Sequence, residues 1–356
     1  MSEISDYLPG RLGRNDATLE TDERADPRIV QVLLAARGLA PGVDEIDPKA
    51  SYEDCLAYCA AFEDAAAEGN ALLSANLAAP ESVETSKEII GGVDANEIQL
   101  YIHRPRKRAG RVPCIVHIHG GGMVLMGATD PMFVRWRGAL AELGVVVIGV
   151  EFRNGGGRLG NHPFPAGLND CASAVQWADS NRDALGISSI VISGESGGGN
   201  LSLATALKAN KEGWIDQIAG VYAWCPYICG QYANPPKTLL SLRENDGYVL
   251  SCKQMAALVK VYDPANEHGT NPLAWPYHAQ RDDLEGLPPH VISVNELDPL
   301  RDEGLAYYRK LLSAGVLAVG RTVHGTPHAG DLSYPDIAPE IYRDSLASIN
   351  GFISAL

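Results

Sequence analysis

The sequence is short of positive charge and has no long apolar run. It carries 29 Lys and Arg residues against 44 Asp and Glu residues, a formal net charge of −15. Such an acidic surface repels phosphate backbones and anionic lipids, so we expect neither nucleic acid nor a membrane as a partner. No stretch approaches the roughly 18 apolar residues of a membrane span. The start, MSEISDYLPG, lacks the basic and apolar regions of a signal peptide.

The sequence also lacks the cysteine pattern of a disulfide framework. Its seven cysteines are an odd number, and most of them lie inside apolar runs. They are Cys55, Cys59, Cys114, Cys171, Cys225, Cys229 and Cys252. Free thiols in a reducing cytoplasm fit this pattern best, so a cytoplasmic location is expected. A packed helix face explains the i, i+4 spacing of Cys55 and Cys59 better than zinc does, because no Cys/His pair with ligand spacing accompanies them.

The apolar pattern changes along the chain. Residues 1–90 are predicted to be helical: Ser51 and Asp54 resemble a capping box, helical spacing follows, and Gly69 stands where a C-cap would. A short helix is also predicted over Ile29–Ala36, with Gly38 after it. From about residue 97, short strands alternate with helices, which predicts a mostly parallel sheet covered on both faces.

The alternation defines seven strands and three prominent helices. The predicted strands are Ile98–His103, Cys114–His119, Val145–Phe152, Ile190–Gly194, Ile218–Ala223, Val291–Asn295 and Val316–Val323. The helices are Leu168–Arg182, Leu201–Lys211 and Glu303–Ser313. Residues 227–283 break this rhythm: they are rich in Pro, Asn and aromatics, with one helix near Lys253–Tyr262. We interpret them as an insertion that forms part of a cap.

The motif Gly194-Glu195-Ser196-Gly197-Gly198 carries the strongest functional signal. It has the form G-x-S-x-G, with a β-rich run before it and a helical run after it. A serine on such a tight turn needs glycines on both sides, because the backbone is strained and passes close to neighbouring strands. The following helix directs its positive end at the serine and favours a developing oxyanion. Ser196 is therefore the predicted nucleophile, and an ordinary glycine turn is the alternative.

A second motif, His119-Gly120-Gly121-Gly122, ends the predicted strand over Cys114–His119. Glycines there allow backbone N–H groups to face a cavity. Two of these groups, with the N–H of Gly197, would form an oxyanion hole. The alternative is a flexible turn with His119 packed beneath it.

The acid and the base are predicted from chain order. Asp298 follows the strand Val291–Asn295, where a carboxylate reaches the edge that carries Ser196. An N-cap is the alternative for such an aspartate, and we assign that duty to Asp302. His328 is the predicted base because it lies in the loop beyond the last strand. His324 preserves the same order and is expected to be a packing residue.

One further motif resembles a nucleotide-binding loop but lacks the helix that such a loop needs. Gly155–Gly160 matches the dinucleotide pattern G-x-G-x-x-G, but Pro163 and Pro165 follow directly and prevent the required helix from starting there. We therefore predict a plain loop and no nucleotide cofactor.

These motifs together resemble the hormone-sensitive-lipase-like family of α/β-hydrolase esterases. The matching stretches are Val116–Gly122 (VHIHGGG), Phe164–Asp170 (FPAGLND), Gly194–Asn200 (GESGGGN) and Asp298–Gly304 (DPLRDEG). The resemblance covers roughly residues 90–335. It implies an α/β-hydrolase fold with an eight-stranded sheet, a core of residues 91–226 and 284–356, and a helical cap made of residues 1–90 and 227–283.

The resemblance also implies the chemistry. Ser196 would be the nucleophile, Asp298 the acid and His328 the base, with Gly121, Gly122 and Gly197 forming the oxyanion hole. The sequence departs from the family in one place: Ala329 and Gly330 follow His328, where the family has a glycine and then a large apolar residue.

We expect hydrolysis of carboxylic esters of small molecules through an acyl-enzyme, with no cofactor and no metal. An amidase or lactonase would use the same residues. A receptor that has lost the triad is disfavoured, because all three residues are present. The aromatics Trp224, Tyr227, Trp275 and Tyr277 either form the core of the cap or line the pocket, with the core favoured. The oligomeric state is not fixed, and a homodimer is left open.

Overall fold

The computed structural model describes residue 14, residues 16–39, residue 43, and residues 45–74 and 80–356. The N-terminal residues on which the signal-peptide argument depends lie outside this part. One mixed sheet runs through the molecule in the order β1-β2-β4-β3-β5-β6-β7-β8. Its strands are β1 (Val83–Gly91), β2 (Glu97–Pro105), β3 (Val112–Ile118), β4 (Val146–Glu151), β5 (Ile187–Glu195), β6 (Gly220–Trp224), β7 (His290–Asn295) and β8 (Ala318–Val323).

Helices flank this sheet and precede it. They are α1 (Pro27–Leu39), α2 (Tyr52–Ser74), α3 (Pro131–Glu142), α4 (Ala166–Ser180), α5 (Arg182–Leu185), α6 (Gly197–Glu212), α7 (Ser241–Glu244), α8 (Cys252–Tyr262), α9 (Arg281–Leu284), α10 (Arg301–Ser313), α11 (Gly330–Ser333) and α12 (Pro339–Ser354). The strands β3 to β8 pair in parallel, whereas β1 with β2 and β2 with β4 are antiparallel. The α/β-hydrolase fold with a mostly parallel, eight-stranded sheet is confirmed.

The N-terminal segment differs from its prediction in two respects. Strand β1 occupies residues that were expected to be helical, because β2 supplies a nine-residue antiparallel partner for them. Gly38 and Gly69 lie inside α1 and α2 instead of ending them. The capping box is confirmed: the Asp54 N–H donates to Ser51 Oγ at 3.0 Å, and the Ser51 N–H donates to Asp54 Oδ2 at 3.3 Å.

The parallel strands are apolar along nearly their whole length because helices cover both faces. In β4, the run Val146–Val150 is fully buried, and α6 buries most of its residues against β5, β6 and α4. All seven cysteines are buried and free. Within the part of the chain that the structure describes, no helix has both the length and the apolarity to cross a bilayer.

The topology places the predicted site residues at one edge. The strands β3, β5, β7 and β8 run in the same direction, so their carboxyl ends meet there. The glycine motif follows β3, Ser196 follows β5, Asp298 follows β7 and His328 follows β8. Such an edge is where open α/β sheets bind their ligands.

Candidate active site

Ser196 occupies a strained turn between β5 and α6. Its backbone angles are φ 56° and ψ −117°, a region that costs a non-glycine residue about 1–3 kcal/mol. Two backbone hydrogen bonds fix the turn: the Ser196 N–H donates to the Trp224 carbonyl at 2.9 Å, and the Tyr227 N–H donates to the Ser196 carbonyl at 3.1 Å. The strain therefore persists because the neighbouring segment over-determines the conformation.

The glycines around Ser196 are required by close backbone contacts. A Cβ atom at Gly198 would lie 1.9 Å from the Ile118 carbonyl oxygen, and one at Gly194 would lie 2.3 Å from the same atom. A Cβ at Gly197 would lie 2.6 Å from the backbone nitrogen of Gly122. The turn over Gly194–Gly198, which we call the elbow, thus meets the glycine loop over Gly120–Gly122 backbone to backbone.

The glycine loop presents its backbone to the cavity beside Ser196. Gly121 and Gly122 have positive φ angles of 103° and 62°, and both line the pocket that also contains Ser196. The N–H of Gly120 is committed elsewhere, because it donates to Glu195 Oε1 at 2.8 Å. The amides of Gly121, Gly122 and Gly197 are therefore the candidates for an oxyanion hole.

Glu195 occupies the variable position of the G-x-S-x-G motif, so the motif gives no sign of its contacts. Its carboxylate joins the elbow to β3 by accepting from the Gly120 N–H and from His117 Nε2, the latter at 3.0 Å. Burial opposes the charge of Glu195, but His117 and the Gly120 amide outweigh burial and lower its pKa. An ionised carboxylate thereby fixes the start of the glycine loop.

His119 lies beneath the glycine loop, as the packing alternative for this residue proposed. Its Nδ1–H donates to the Gly120 carbonyl at 2.8 Å, and its ring stacks on Phe152 with centroids 4.2 Å apart. Burial lowers the pKa of His119 to about 3, so the ring is neutral. It supports the loop without contributing charge.

His328 and Asp298 form a buried hydrogen-bonded pair at the edge of the pocket. His328 Nδ1 lies 2.7 Å from Asp298 Oδ2, and the other carboxylate oxygen accepts from the Leu300 N–H at 2.9 Å. Burial disfavours a charged imidazole, but the Asp298 carboxylate overcomes this effect and raises the pKa of His328 well above its usual value. This bond assigns the Nδ1 proton and leaves Nε2 free to accept.

The two alternative residues are placed away from this pair. The His324 side chain is 78% exposed and lies 3.2 Å from Glu296, so the expectation that it packs in the structure is wrong. Asp302 lies inside the first turn of α10 and accepts from the Ser241 N–H at 2.9 Å. The N-cap assignment for Asp302 is therefore also wrong, because the hydroxyl of Ser241 itself accepts from the Asp302 N–H at 3.0 Å.

Side chains that carried no recognisable motif hold the loop of His328 in place. Asn295 Nδ2 donates to Thr326 Oγ1 at 2.7 Å and to Asp331 Oδ1 at 2.8 Å. Thr326 Oγ1 in turn donates to the Val323 carbonyl at 3.0 Å. This network links the end of β7 to both sides of the histidine, and only contacts between distant residues reveal it.

Cys225 also lies beside the pair. Its sulfur, a carboxylate oxygen of Asp298 and a ring nitrogen of His328 all lie within 4.8 Å of one another. Cys225 directly follows β6 and has a φ of 33°. Burial raises the pKa of the Cys225 thiol. The thiol therefore stays neutral and packs against the imidazole.

The departure after His328 has a clear structural form. Ala329 takes left-handed angles, φ 52° and ψ 20°, where glycine is the residue that fits best. A Cβ at Gly330 would come within 3.0 Å of Pro327 Cδ and 3.1 Å of Thr326 Cβ. A side chain at position 330 would therefore contact Thr326 and Pro327 at once.

A cavity of about 220 Å³ opens at Ser196 and His328, with apolar walls. The two segments expected to form a cap, residues 1–90 and 227–283, contribute these residues to its lining: Phe62, Ala66, Tyr227, Val249, Leu250, Gln254, Met255 and Leu258. Of the four aromatics singled out in the sequence, only Tyr227 lines it. Trp224 belongs to β6 and stacks on Tyr222, and Trp275 is buried against Tyr227. Core packing, the favoured explanation, accounts for Trp275, whereas Trp224 lies in the sheet and outside the segment expected to form the cap.

The glycine stretch Gly155–Gly160 does not begin an α-helix. It makes one short 3₁₀ turn over Gly157–Leu159, and the next α-helix, α4, begins only at Ala166, beyond Pro163 and Pro165. The prediction of a loop without a helix start is confirmed.

Three features of the structure define a class of protein: the order of the strands in the sheet, the strained turn at Ser196, and the hydrogen-bonded pair of His328 and Asp298. The chain belongs to the α/β-hydrolase family, whose family model, described as "alpha/beta hydrolase fold", matches residues 115–331. Its relatives among known proteins include named esterases. The chain is 31% identical over 236 residues to carboxylesterase NlhH of Mycobacterium tuberculosis, covering 64% of this chain and 69% of the relative. It is equally similar to an arylesterase of Saccharolobus solfataricus, with 65% and 72% covered.

Solved structures give the same assignment over nearly the full length. Brefeldin A esterase, described as a bacterial homologue of human hormone-sensitive lipase, superposes with a TM-score of 0.90 at 42% identity and 97% coverage of both chains. Esterase Est22 follows with a TM-score of 0.83 at 37% identity, covering 95% of this chain and 99% of the other. The chain is an ester-hydrolysing enzyme of the hormone-sensitive-lipase-like group, as the four motifs indicated.

Proposed function

We propose that the enzyme cleaves small-molecule esters of short-to-medium acyl length through Ser196, His328 and Asp298 and a covalent acyl-enzyme. The observation that carries the proposal is the buried bond between His328 and Asp298 at the mouth of the cavity that contains Ser196. It orients the imidazole so that its free nitrogen can serve a nucleophile.

The proposed reaction has two halves. Ser196 Oγ attacks the ester carbonyl while His328 Nε2 takes its proton, and the oxyanion accepts hydrogen bonds from the amides of Gly121, Gly122 and Gly197. The intermediate collapses, and the leaving alcohol receives the proton from the imidazolium. Water then attacks the acyl-enzyme with the same histidine as base and releases the acid. Asp298 stabilises the imidazolium in both halves.

The size of the cavity supports the acyl-length part of the proposal. A mostly apolar cavity of about 220 Å³ accommodates a short chain and offers little room for the long chains of a triglyceride. We expect acyl groups of up to roughly eight carbons to be preferred, because the methylene groups of a longer chain would find no further cavity wall to contact.

The deciding experiment combines a nucleophile variant with a substrate panel. Ser196→Ala should lower the turnover of p-nitrophenyl butyrate by roughly 10⁶, the scale on which a serine triad fails, while the melting temperature is retained. Phenylmethylsulfonyl fluoride should label Ser196 and no other serine. A variant that keeps more than about a tenth of the activity excludes Ser196 as nucleophile.

The panel tests the substrate class separately. It contains p-nitrophenyl esters of increasing chain length, a matched amide, a matched lactone and a long-chain triglyceride emulsion. Esters of short and medium length should be cleaved fastest. Faster cleavage of the amide or the lactone would assign the enzyme to one of those reactions, and efficient cleavage of the emulsion would contradict the proposed acyl length.

A further inference from the structure

A carboxylate from helix α2 is buried among loops of the catalytic core. Glu63 is 1% exposed. Its Oε1 accepts from the Met126 N–H at 2.6 Å, and its Oε2 accepts from the Arg158 N–H at 2.7 Å. The guanidinium of Arg158, itself half exposed, approaches Oε1 to 3.3 Å. A buried carboxylate is unfavourable unless it is hydrogen-bonded, so this pair of amides specifies the position of α2.

The glycine stretch that resembles a nucleotide loop is the receptor for this carboxylate. Gly157 has a φ of +64°, and a Cβ atom there would lie 2.5 Å from Glu63 Oε2. A loop that lacks side chains and presents backbone N–H groups binds anions well, which is the physical basis of phosphate loops. Here the anion comes from the same chain.

The second amide connects Glu63 to the active site. Met126 lines the cavity and follows the turn in which the N–H groups of Val124 and Leu125 donate to the Gly121 carbonyl at 3.1 and 3.0 Å. On α2, the neighbours Phe62 and Ala66 line the same cavity. One carboxylate thus holds a cap-side wall of the pocket against the far end of the glycine loop.

We propose that Glu63 is a positioning residue that clamps α2 onto the core and thereby limits the length of the acyl chain. The proposal rests on the ester hydrolysis proposed above and adds the element that sets its chain-length limit. When the clamp is released, α2 can move away from the glycine loops, and the space beside Phe62 and Ala66 enlarges. Longer acyl chains then gain room, whereas an acetyl group gains nothing.

Two variants release the clamp by different routes. Glu63→Gln keeps the size of the side chain, but its NH₂ group cannot accept, so one backbone N–H loses its partner. Gly157→Ala places a methyl group where Oε2 lies. The matched controls are Asp64→Asn, the exposed neighbour of Glu63 on α2, and Gly213→Ala, a glycine with a φ of +80° and no atom within 4 Å of the added Cβ.

The readout is the ratio of kcat/KM for p-nitrophenyl octanoate to that for p-nitrophenyl acetate. We expect the ratio to rise about tenfold in Glu63→Gln and in Gly157→Ala, the scale of one or two methylenes in an apolar pocket. The double variant should show no further rise, because both changes break the same contact. The controls should stay within about twofold of the wild-type ratio.

Several outcomes overturn the clamp without touching the proposed function. If both variants lose activity equally on the two esters, Glu63 has only a stabilising role; if their effects on the ratio add, they act independently. Hydrogen exchange of residues 52–66 gives a readout without turnover, and unchanged exchange in Glu63→Gln likewise overturns the clamp. Failure of the proposed function looks different, since it would appear without any change at Glu63: Ser196→Ala would stay active, or the wild-type enzyme would cleave the amide, the lactone or the long-chain emulsion best.

Discussion

The two ends of the candidate active site are held together by opposite means. At the nucleophile end, the absence of side chains allows contact: Gly194 and Gly198 bring the elbow against the Ile118 carbonyl, with no room for a single methyl group. At the histidine end, side chains make the contacts: Asn295 binds Thr326, which precedes His328, and Asp331, which follows it. One end is fixed by packed backbone and the other by a polar network.

The positions of the groups at the nucleophile end are therefore less variable than those at the histidine end. Backbone packing fixes the serine and the amides relative to one another with almost no alternative arrangement, which suits groups that must surround a developing oxyanion. The imidazole has to exchange protons with several partners, and a hydrogen-bonded loop positions it while other residues can substitute for its supports. We therefore expect changes to act differently at the two ends.

The largest effect is expected from removing the base. His328→Asn should lower kcat by roughly 10⁶, because the one carboxylate among the described residues that line the cavity, Glu195, already accepts from the Gly120 N–H and from His117. His324→Asn is the matched control, four residues earlier and 78% exposed, and it should retain nearly full activity. Steady-state kinetics on a p-nitrophenyl ester at neutral pH measure both. An active His328→Asn together with an inactive His324→Asn would move the base to the end of β8.

A smaller effect with a distinct pH signature is expected at Asp298. The base must be neutral, so kcat/KM should rise with pH, with a midpoint above the ordinary histidine value of about 6.5, because Asp298 raises the pKa of His328. Asp298→Asn removes that contribution and leaves burial to lower the pKa. The midpoint should therefore move to lower pH, while the plateau falls by up to about 10⁴.

Asp302→Asn is the control for that experiment. It changes a carboxylate that binds Ser241 and Arg301 and does not contact the imidazole. Its midpoint should match that of the wild-type enzyme, even if its melting temperature drops. A pH profile that is the same in Asp298→Asn and the wild type would show that Asp298 does not control the base.

The same contrast explains what the sequence could and could not predict. The strands β2 to β8 and the elbow were predictable, because apolar runs and close-packed glycines leave a local record. Asp298 and His328 followed from chain order, and their pairing required the fold. The roles of Glu195, Asn295 and Ser241 depend on partners up to 78 residues away and have no spacing that marks them. Strand β1 was missed because its side chains are mostly exposed, and only Val83 and Ile90 are buried.

A single added methyl group tests the two ends directly. In Gly198→Ala the new Cβ would lie 1.9 Å from a backbone oxygen, so a strand or the helix must move, and we expect a loss of about 3 kcal/mol or more in the free energy of unfolding. In Gly330→Ala the nearest atoms are Pro327 Cδ at 3.0 Å and Thr326 Cβ at 3.1 Å, so a displacement of a few tenths of an ångström relieves the contact. The loss there should stay near 1 kcal/mol. Urea denaturation measures both, and equal losses would contradict the contrast between the two ends.

The smallest effect is expected at Ala329, where the histidine end tolerates a residue that its backbone disfavours. Replacing Ala329 by glycine relieves the left-handed strain, a gain of roughly 1–2 kcal/mol. It also removes a buried methyl group worth about 0.8 kcal/mol and frees the unfolded chain by about 0.4–1 kcal/mol. These terms nearly cancel, so the free energy of unfolding should change by less than about 0.5 kcal/mol and kcat should stay the same.

Ala329→Val adds a branched side chain at the same φ and should destabilise by more than about 1 kcal/mol. If Ala329→Gly instead lowered kcat more than tenfold, the methyl group would be holding the imidazole, and the polar network would not be sufficient to position it.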